Sequence, residues 1–422
     1  MRRTLTVCLV LAGLFILAYL FASWDAWEGV GRHHGRATGP YIHSLKGWGT
    51  LFGVAGLTTF SLTLALASRW PKLEDWLGGL DQLYRTHHTL GIITFCLLIA
   101  HPFLLALRHT NWAAFFLPTH DRLSVNLGAI AFWSLVLLIG LSLIRFLPYD
   151  KWKWTHRFMG LIFLIASLHV LLTQKAFAPS ASPLLYLPIA LGLLSLAYRQ
   201  VWIPLFRKRP RFTVTQLTPL TDTTTEITLT SDHPFPYKPG QYAFFQFDKP
   251  TRESHPFTLR GTPGEKKLSI LVKGRGDYTR RLLKTLKPGD TARLEGPYGR
   301  FDYTQYPGEQ VWIAGGIGIV PFLTWAPSLS SKAPKITLYY CVKNSADAAG
   351  LKEIKNITTY LICSSERPHL KATELPYKGA SAILLCGPRR LTRDLTHQLT
   401  ALGYPRRQIH FEDFEFFSSY GR

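Results

Sequence analysis

The sequence predicts a multidomain chain: a six-helix transmembrane bundle, then an antiparallel β-barrel, then an α/β doubly wound domain. Three observations predict it. Before residue 206, apolar runs recur six times, each close to the roughly 20 residues that cross a bilayer. From about Arg211, short alternating polar and apolar runs are punctuated by Gly and Pro turns. From about Gln310, wholly apolar strands lead into glycine turns and helix starts. The expected boundaries are 1–206, 207–308 and 309–422.

The six expected spans are 4–22, 45–67, 85–107, 124–146, 155–173 and 183–203. The first has a basic start, Arg2 and Arg3, as a signal peptide has. Its apolar run is long and lacks an obvious small-residue cleavage site, so it is expected to be a retained helix. Lys and Arg set the orientation. They cluster at the start, in the second-to-third connection (Arg69, Lys72, Arg85), in the fourth-to-fifth (Arg145, Lys151, Lys153, Arg157) and after the sixth helix (Arg207, Lys208, Arg209, Arg211). The alternate loops are poorer in both. Both termini and the whole soluble half are therefore expected on the cytoplasmic side.

Helices three and five then run outward, each with a histidine near either end. His87 and His101 are 14 residues apart, and His156 and His169 are 13 apart. Either step spans about 20 Å along a helix. A 14-residue step returns to within about 40° of the same face, whereas 13 residues land about 140° away. Helix five therefore needs a local distortion if its two histidines are to face helix three. With it, two layers of facing imidazoles result, His87 with His156 inside and His101 with His169 outside. Each layer could hold one haem iron. Gly91 and Gly160 follow His87 and His156 by four residues and would admit a flat macrocycle; this register selects His87 over His88. The alternative is that these histidines bond to one another or line a proton path, as in a transporter or sensor with a regulatory soluble half.

The formal charge is +22. No nucleic-acid motif accompanies it, and many of the basic residues flank the spans. Anionic lipid headgroups and anionic cofactors are the expected counterparts, and no nucleic acid. The five cysteines form no CxxC pair, so neither a disulfide framework, a zinc site nor an iron–sulfur ligand set is expected.

In the soluble half, "RFTVTQLTPLTDTTTEITLTS" alternates as a half-buried strand does, and "YKPGQYAFFQF" supplies a turn and a strand. "ESHPFTLRGTP", "KLSILVKGRGDYTRRLL" and "DTARLEGPYGRF" continue the barrel. "QVWIAGGIGIVPFLTWA" is a buried strand, a glycine turn and a helix start. "KITLYYCV", "ITTYLICSS" and "SAILLCGPRRLTRDLTHQL" complete an open parallel sheet, in which ligands bind at the carboxyl ends of the strands. Gly315, Gly316 and Gly318 would let the backbone approach a pyrophosphate at the following helix N-terminus.

Several motifs agree in order and spacing: "HPFTL", "GDYTRRL", "GPYGRF", "AGGIGIVPF", "CGP" and the terminal "FEDFEFF". Together they resemble the ferredoxin-reductase-type flavin and pyridine-nucleotide module. Joined to a six-helix, four-histidine membrane domain, the chain resembles the NADPH oxidase and ferric reductase superfamily in its compact bacterial form. The resemblance implies FAD, two haem b groups and NADPH, with NADH the alternative. It implies that His255, Pro256, Phe257 and Thr258 border the flavin and its ribityl chain. Lys273, Gly276, Asp277, Tyr278 and Thr279 would line the FAD phosphates. Gly315, Gly316 and Gly318 would cradle the nicotinamide nucleotide phosphates, with Cys386, Gly387 and Pro388 beside the nicotinamide. Phe416 would cover the flavin face until nicotinamide displaces it; Cys386 and Phe416 are the expected catalytic contacts. "SSERP" follows a strand where this module reads a 2′-phosphate, so Ser365 and Arg367, helped by Lys343, are expected to select NADPH.

There are departures from the pattern. Lys273 stands where many oxidases have arginine, Val320 replaces a threonine before Pro321, and Leu105 stands where animal oxidases carry a further histidine. The implied activity is transfer of electrons from cytoplasmic NADPH through FAD and both haems to an acceptor outside, in a bacterial inner membrane. Dioxygen, giving superoxide, is the main expectation. A ferric or other metal chelate, a quinone or a periplasmic protein are the alternatives.

Overall fold

The computed structural model describes residues 2–23, 45–107, 111–143, 149–173, 180–207, 209–251, 253–329, 333–354 and 357–412. The chain forms two compact units, Met1–Arg207 and Lys208–Ser418.

In the first unit, six helices among the described residues are long and apolar enough to cross a membrane: Thr4–Ala22, Leu45–Ala67, Leu80–Ala106, Leu123–Leu143, Lys151–Leu172 and Ser182–Phe206. This part of the chain is an integral membrane domain. Its principal helices are α1 (Arg2–Ala22), α2 (Leu45–Ala67), α3 (Leu80–Ala106), α4 (Leu123–Leu143), α5 (Tyr149–His156), α6 (Met159–Leu172) and α7 (Tyr186–Ala197). The third span begins five residues earlier than the sequence suggests, because Gly78 and Gly79 adopt positive φ and break the chain just before Leu80.

Helix α2 packs tightly on α3 through its glycines. A Cβ on Gly49, Gly53 or Gly56 would stand 2.9, 2.7 or 2.5 Å from Leu105, His101 or Leu98 of α3. Small residues at this spacing let two membrane helices approach to backbone distance. The expected distortion of the fifth span is present: α5 ends at His156, Arg157 and Phe158 form a turn, and α6 begins at Met159.

The second unit holds two sheets. Six antiparallel strands run in the order β4-β3-β6-β1-β2-β5, where β1 is Arg211–Thr221, β2 Thr224–Thr230, β3 Tyr242–Phe247, β4 Ser254–Thr258, β5 Lys267–Lys273 and β6 Thr291–Tyr298. A bridge between Arg260 and Ser269 joins the two edges of this sheet, with both backbone hydrogen bonds at 2.9 Å, and closes it as a barrel. Phe212, Val214, Ile227, Phe245, Ile270 and Leu294 fill the interior. Alternation along the strands sends these side chains inward, and helix α8 (Asp277–Thr285) adds Tyr278 and Leu282 to the same core.

The second sheet has five parallel strands in the order β11-β10-β7-β8-β9, with β7 Gln310–Gly315, β8 Ile336–Val342, β9 Thr358–Cys363, β10 Ala382–Cys386 and β11 Ile409–Glu412. Every residue of β7 and β10 is buried, as central parallel strands covered on both faces are. Helices α9 (Val320–Trp325) and α10 (Arg389–Ala401) follow β7 and β10. The strand order reverses between these two strands, which makes the crevice at their carboxyl ends the switch point where such sheets bind ligands.

Candidate functional site

The membrane domain brings its four histidines together in two pairs. His87 faces His156 with ring centres 6.1 Å apart, and His101 faces His169 at 6.4 Å. His88 is exposed. Three of the four rings are fixed by backbone carbonyls of a neighbouring helix. Nδ1 of His87 donates to Thr63 O (2.9 Å), that of His101 to Gly49 O (2.7 Å) and that of His169 to Ser124 O (2.7 Å). A carbonyl only accepts, so Nδ1 carries the proton and Nε2 keeps its lone pair for a metal. Thr63 and Gly49 are themselves 14 residues apart on α2, so both histidines of α3 meet α2 in the same register.

The His101–His169 pair has an additional device. A Cβ on Gly53 would lie 2.7 Å from the His101 ring, and one on Gly128 would lie 2.9 Å from the His169 ring. Each glycine stands four residues after the carbonyl that binds the same ring. Each of these two imidazoles therefore lies in a notch with a hydrogen-bond acceptor at its rim. His156 differs: among the described residues its buried Nδ1 has no hydrogen-bond partner, and its ring stacks on Trp152 at 5.2 Å and 25°.

These pairs fit a metal that brings its own macrocycle. A metal about 2.0 Å from one nitrogen of each ring separates the ring centres by about 6.3 Å. Among the described residues no group of three or more His, Cys, Asp or Glu could hold a metal ion. The space around Gly91 is open, as a macrocycle beside it requires. Gly160 is different: a Cβ there would meet Leu196 (2.9 Å) and Gln200 (3.0 Å), so this glycine serves helix packing, contrary to the symmetric role expected of it.

In the barrel, the expected flavin-side residues are consecutive on one strand. His255, Pro256, Phe257 and Thr258 lie on edge strand β4, and the imidazole of His255 stacks on Tyr278 at 3.8 Å and 17°. Its Nε2 is 3.1 Å from a Glu253 carboxylate oxygen. Burial, with the Glu253 carboxylate adding to it, pushes the Tyr278 phenol well above its ordinary value. Lys273 ends β5, and Gly276 caps α8. The Thr279 hydroxyl accepts from the Gly276 and Arg275 N–H groups at 3.1 and 3.2 Å, which sets the open turn ahead of the helix.

In the parallel sheet, a cleft of about 850 Å³ lies at the switch point. Gly315, Gly316, Gly318, Gly387 and Pro388 line it, and Lys273 joins them from the barrel. Cys386 closes β10 beside the cleft but is fully buried and does not line it. Ser365 and Arg367 do not line it either; Arg367 forms an ion pair with Glu374. The Lys371 backbone N–H and the Arg367 guanidinium together hold the Glu374 carboxyl below the usual carboxylate range. Arg275, Lys343, Ser364, His369, Lys371 and Arg390 face the cleft instead. The one acid in the lining, Asp394, is in ion-pair reach of Arg390 at 3.7 Å. Such a lining suits a polyanionic nucleotide. Except for Lys343, these residues escaped the motif reading, although most follow the ends of β5, β8, β9 and β10, where the sheet rule alone would look. Phe416 lies outside the described residues.

Comparison with known proteins defines the class. Residues 52–167 match the family described as "Ferric reductase like transmembrane component", and residues 209–302 match "FAD-binding domain". The reductase component of propane 2-monooxygenase from Rhodococcus jostii is 27% identical over 234 residues, covering 48% of this chain and 63% of that protein. Ferric reductase transmembrane component 6 of Saccharomyces cerevisiae is 24% identical over 451 residues, covering 86% of this chain and 59% of that protein. The chain thus spans less than two thirds of the length of these relatives. The crystal structure of a flavohemoglobin from Malassezia yamatoensis shares the fold, with a TM-score of 0.50 at 16% identity, covering 86% of this chain and 95% of that one.

Fold and matches together mark the chain as an oxidoreductase. It joins a domain similar to a ferric-reductase-like transmembrane component (residues 52–167) to one similar to FAD-binding domains (residues 209–302).

Proposed function

We propose that this chain carries electrons from cytoplasmic NADPH, through FAD and two b-type haems, to a ferric chelate or similar metal complex on the far side of the membrane. The observation that carries the proposal is the pair of histidine layers, with ring centres 6.1 and 6.4 Å apart. When bound, FAD takes two electrons as hydride and releases them singly, and haem iron carries them one at a time. The residues do the rest. Residues 1–206 hold the relay, with His87 and His156 as the inner ligands and His101 and His169 as the outer ones. Residues 207–308 hold FAD: His255 to Thr258 border the ring system, and Lys273 with Gly276 to Thr279 hold its phosphates at the N-terminus of α8. Residues 309–422 hold the nicotinamide nucleotide at Gly315–Gly318, Gly387 and Pro388, with Cys386 beneath.

Two features favour a metal chelate over the dioxygen that the motifs alone suggest. The relative named above that aligns with most of this chain is a ferric reductase. Leu105, standing where oxidases place a further histidine, packs its side chain against Gly49 and offers no proton donor at that point. Lys343 and Lys371 in the cleft supply the positive charge that a 2′-phosphate needs, which supports NADPH over NADH. The Lys and Arg of the loops support cytoplasmic termini.

The test is optical. Protein purified in detergent with haem and FAD is mixed with NADPH under nitrogen, and ferric citrate or oxygen is then admitted. Reduction of paired b-type bands followed by rapid reoxidation with ferric citrate, and ferrous iron trapped by a chelating dye, is the expected result. Rapid reoxidation by oxygen alone, with superoxide formed, would replace the metal acceptor by dioxygen. Absence of haem would defeat the relay altogether.

A further inference from the structure

The four histidines are not held alike, and the difference sets one of them apart. His101 and His169 each have a carbonyl acceptor and a glycine notch, and His87 has a carbonyl. His156 has neither among the described residues: its Nδ1 is buried without a partner. The reason is local. Its helix, α5, stops at His156, and the turn at Arg157–Phe158 leaves the ring at a helix end. What contacts the ring is Trp152, one turn earlier on the same short helix, stacked at 5.2 Å and 25°.

Resting on the haem reading above, we propose that Trp152 is the positioning residue of His156, and that His156 is the exchangeable ligand of the four. A hydrogen bond to Nδ1–H fixes both the tautomer and the orientation of a metal-bound imidazole, and losing such a partner typically costs about 10- to 100-fold in metal affinity. His156 lacks that bond from the start. The indole face takes over the orienting task by blocking rotation of the ring about its side-chain bonds. Removing the indole leaves the imidazole with nothing to hold its plane. The outer pair, each ring notched and bonded, is insulated from the same change.

This predicts an asymmetry between two haems that the sequence presents as equivalent. The test uses the full chain loaded with haem, compared as wild type, Trp152→Ala, Trp152→Phe and Trp154→Ala. Trp154 lies on the same short helix, is exposed, and contacts Phe158 rather than a histidine. The readouts are the low-spin EPR signals of the oxidised protein and carbon monoxide binding to the reduced protein. Trp152→Ala is expected to alter one of the two EPR signals and to open that one haem to carbon monoxide. Trp152→Phe, which keeps a stacking ring, and Trp154→Ala should match wild type. Two unaltered signals in Trp152→Ala, or two signals altered alike, would overturn the inference while leaving the relay intact. Wild-type protein that binds no haem would overturn the functional reading itself, and this inference with it. Should Trp152→Ala fail to accumulate, Trp152→Leu, which keeps bulk but no ring face, must show the same single-haem change or the inference fails.

Discussion

A Cβ placed on Gly318 would stand 2.2 Å from the carbonyl oxygen of Cys386. The turn after β7 and the end of β10 thus meet backbone to backbone, at the point where the strand order reverses. The obstacle is a main-chain atom, which cannot rotate aside. Gly318→Ala is therefore expected to destabilise the module by about 1–3 kcal/mol, the usual cost of overpacking. It should also raise the KM for NADPH more than it lowers kcat for ferricyanide reduction. Thermal melting followed by flavin release, together with steady-state kinetics, checks both.

His87 and His88 are adjacent, but only His87 faces His156, while His88 is exposed. His87→Ala is expected to halve the haem content, and His88→Ala to leave it unchanged. Extracted haem measured per chain decides the matter. Loss of haem in the His88 variant alone would reverse the assignment of the inner ligand.

Arg367 is turned to Glu374, whereas Lys343 faces the cleft. Lys343→Ala is expected to reduce the preference for NADPH over NADH by about tenfold, the scale of one charge-assisted hydrogen bond. Arg367→Ala should change it much less. The ratio of kcat/KM for the two nucleotides is the measurement, with Arg367→Ala having the larger effect as the outcome that would restore the motif-based expectation.

His410 on β11 stacks against Tyr306 at 3.9 Å and 23°. Burial, with Arg406 adding repulsion, pushes its pKa from 6.5 down to about 4. The unfolded chain therefore takes up this proton below 6.5 while the folded chain does not until about 4. The stability contributed by the neutral ring is complete above 6.5 and is lost as the pH falls toward 4. His410→Phe keeps the stack and removes the proton site. The drop in Tm between about pH 7.5 and about pH 5 should be smaller in this variant than in wild type.

Much of the membrane half was legible because its signals are local. Run lengths gave the spans, and the mismatch between a 13-residue step and the helical period gave the break after His156. What the sequence did not disclose is what crosses between helices. Gly53 and Gly128 seat His101 and His169, yet each belongs to a helix that carries none of the four paired histidines, and nothing in the local pattern names its partner. Gly160 shows the converse. Its spacing from His156 suggested a role that packing against Leu196 and Gln200 takes instead. In the soluble half, the glycine motifs located the switch point, since they are required by backbone approach. The charged lining did not follow from them, because whether a side chain such as Arg367 faces ligand or a nearby carboxylate depends on a neighbour, Glu374, seven residues on.

The seam between barrel and parallel sheet matters to anyone wishing to transplant this machinery. Arg260, at the bridge that closes the barrel, reaches both Glu226 of the barrel and Glu353 of the nucleotide-binding half. The indole of Trp325 donates to the Pro239 carbonyl at 3.1 Å, and it fills the space beside Gly240. Cutting the chain between Gly308 and Glu309 would bare that indole and take away one of the guanidinium's two counterions. The segment Lys208–Ser418 is accordingly one interchangeable part, to be grafted onto another membrane anchor whole or not at all.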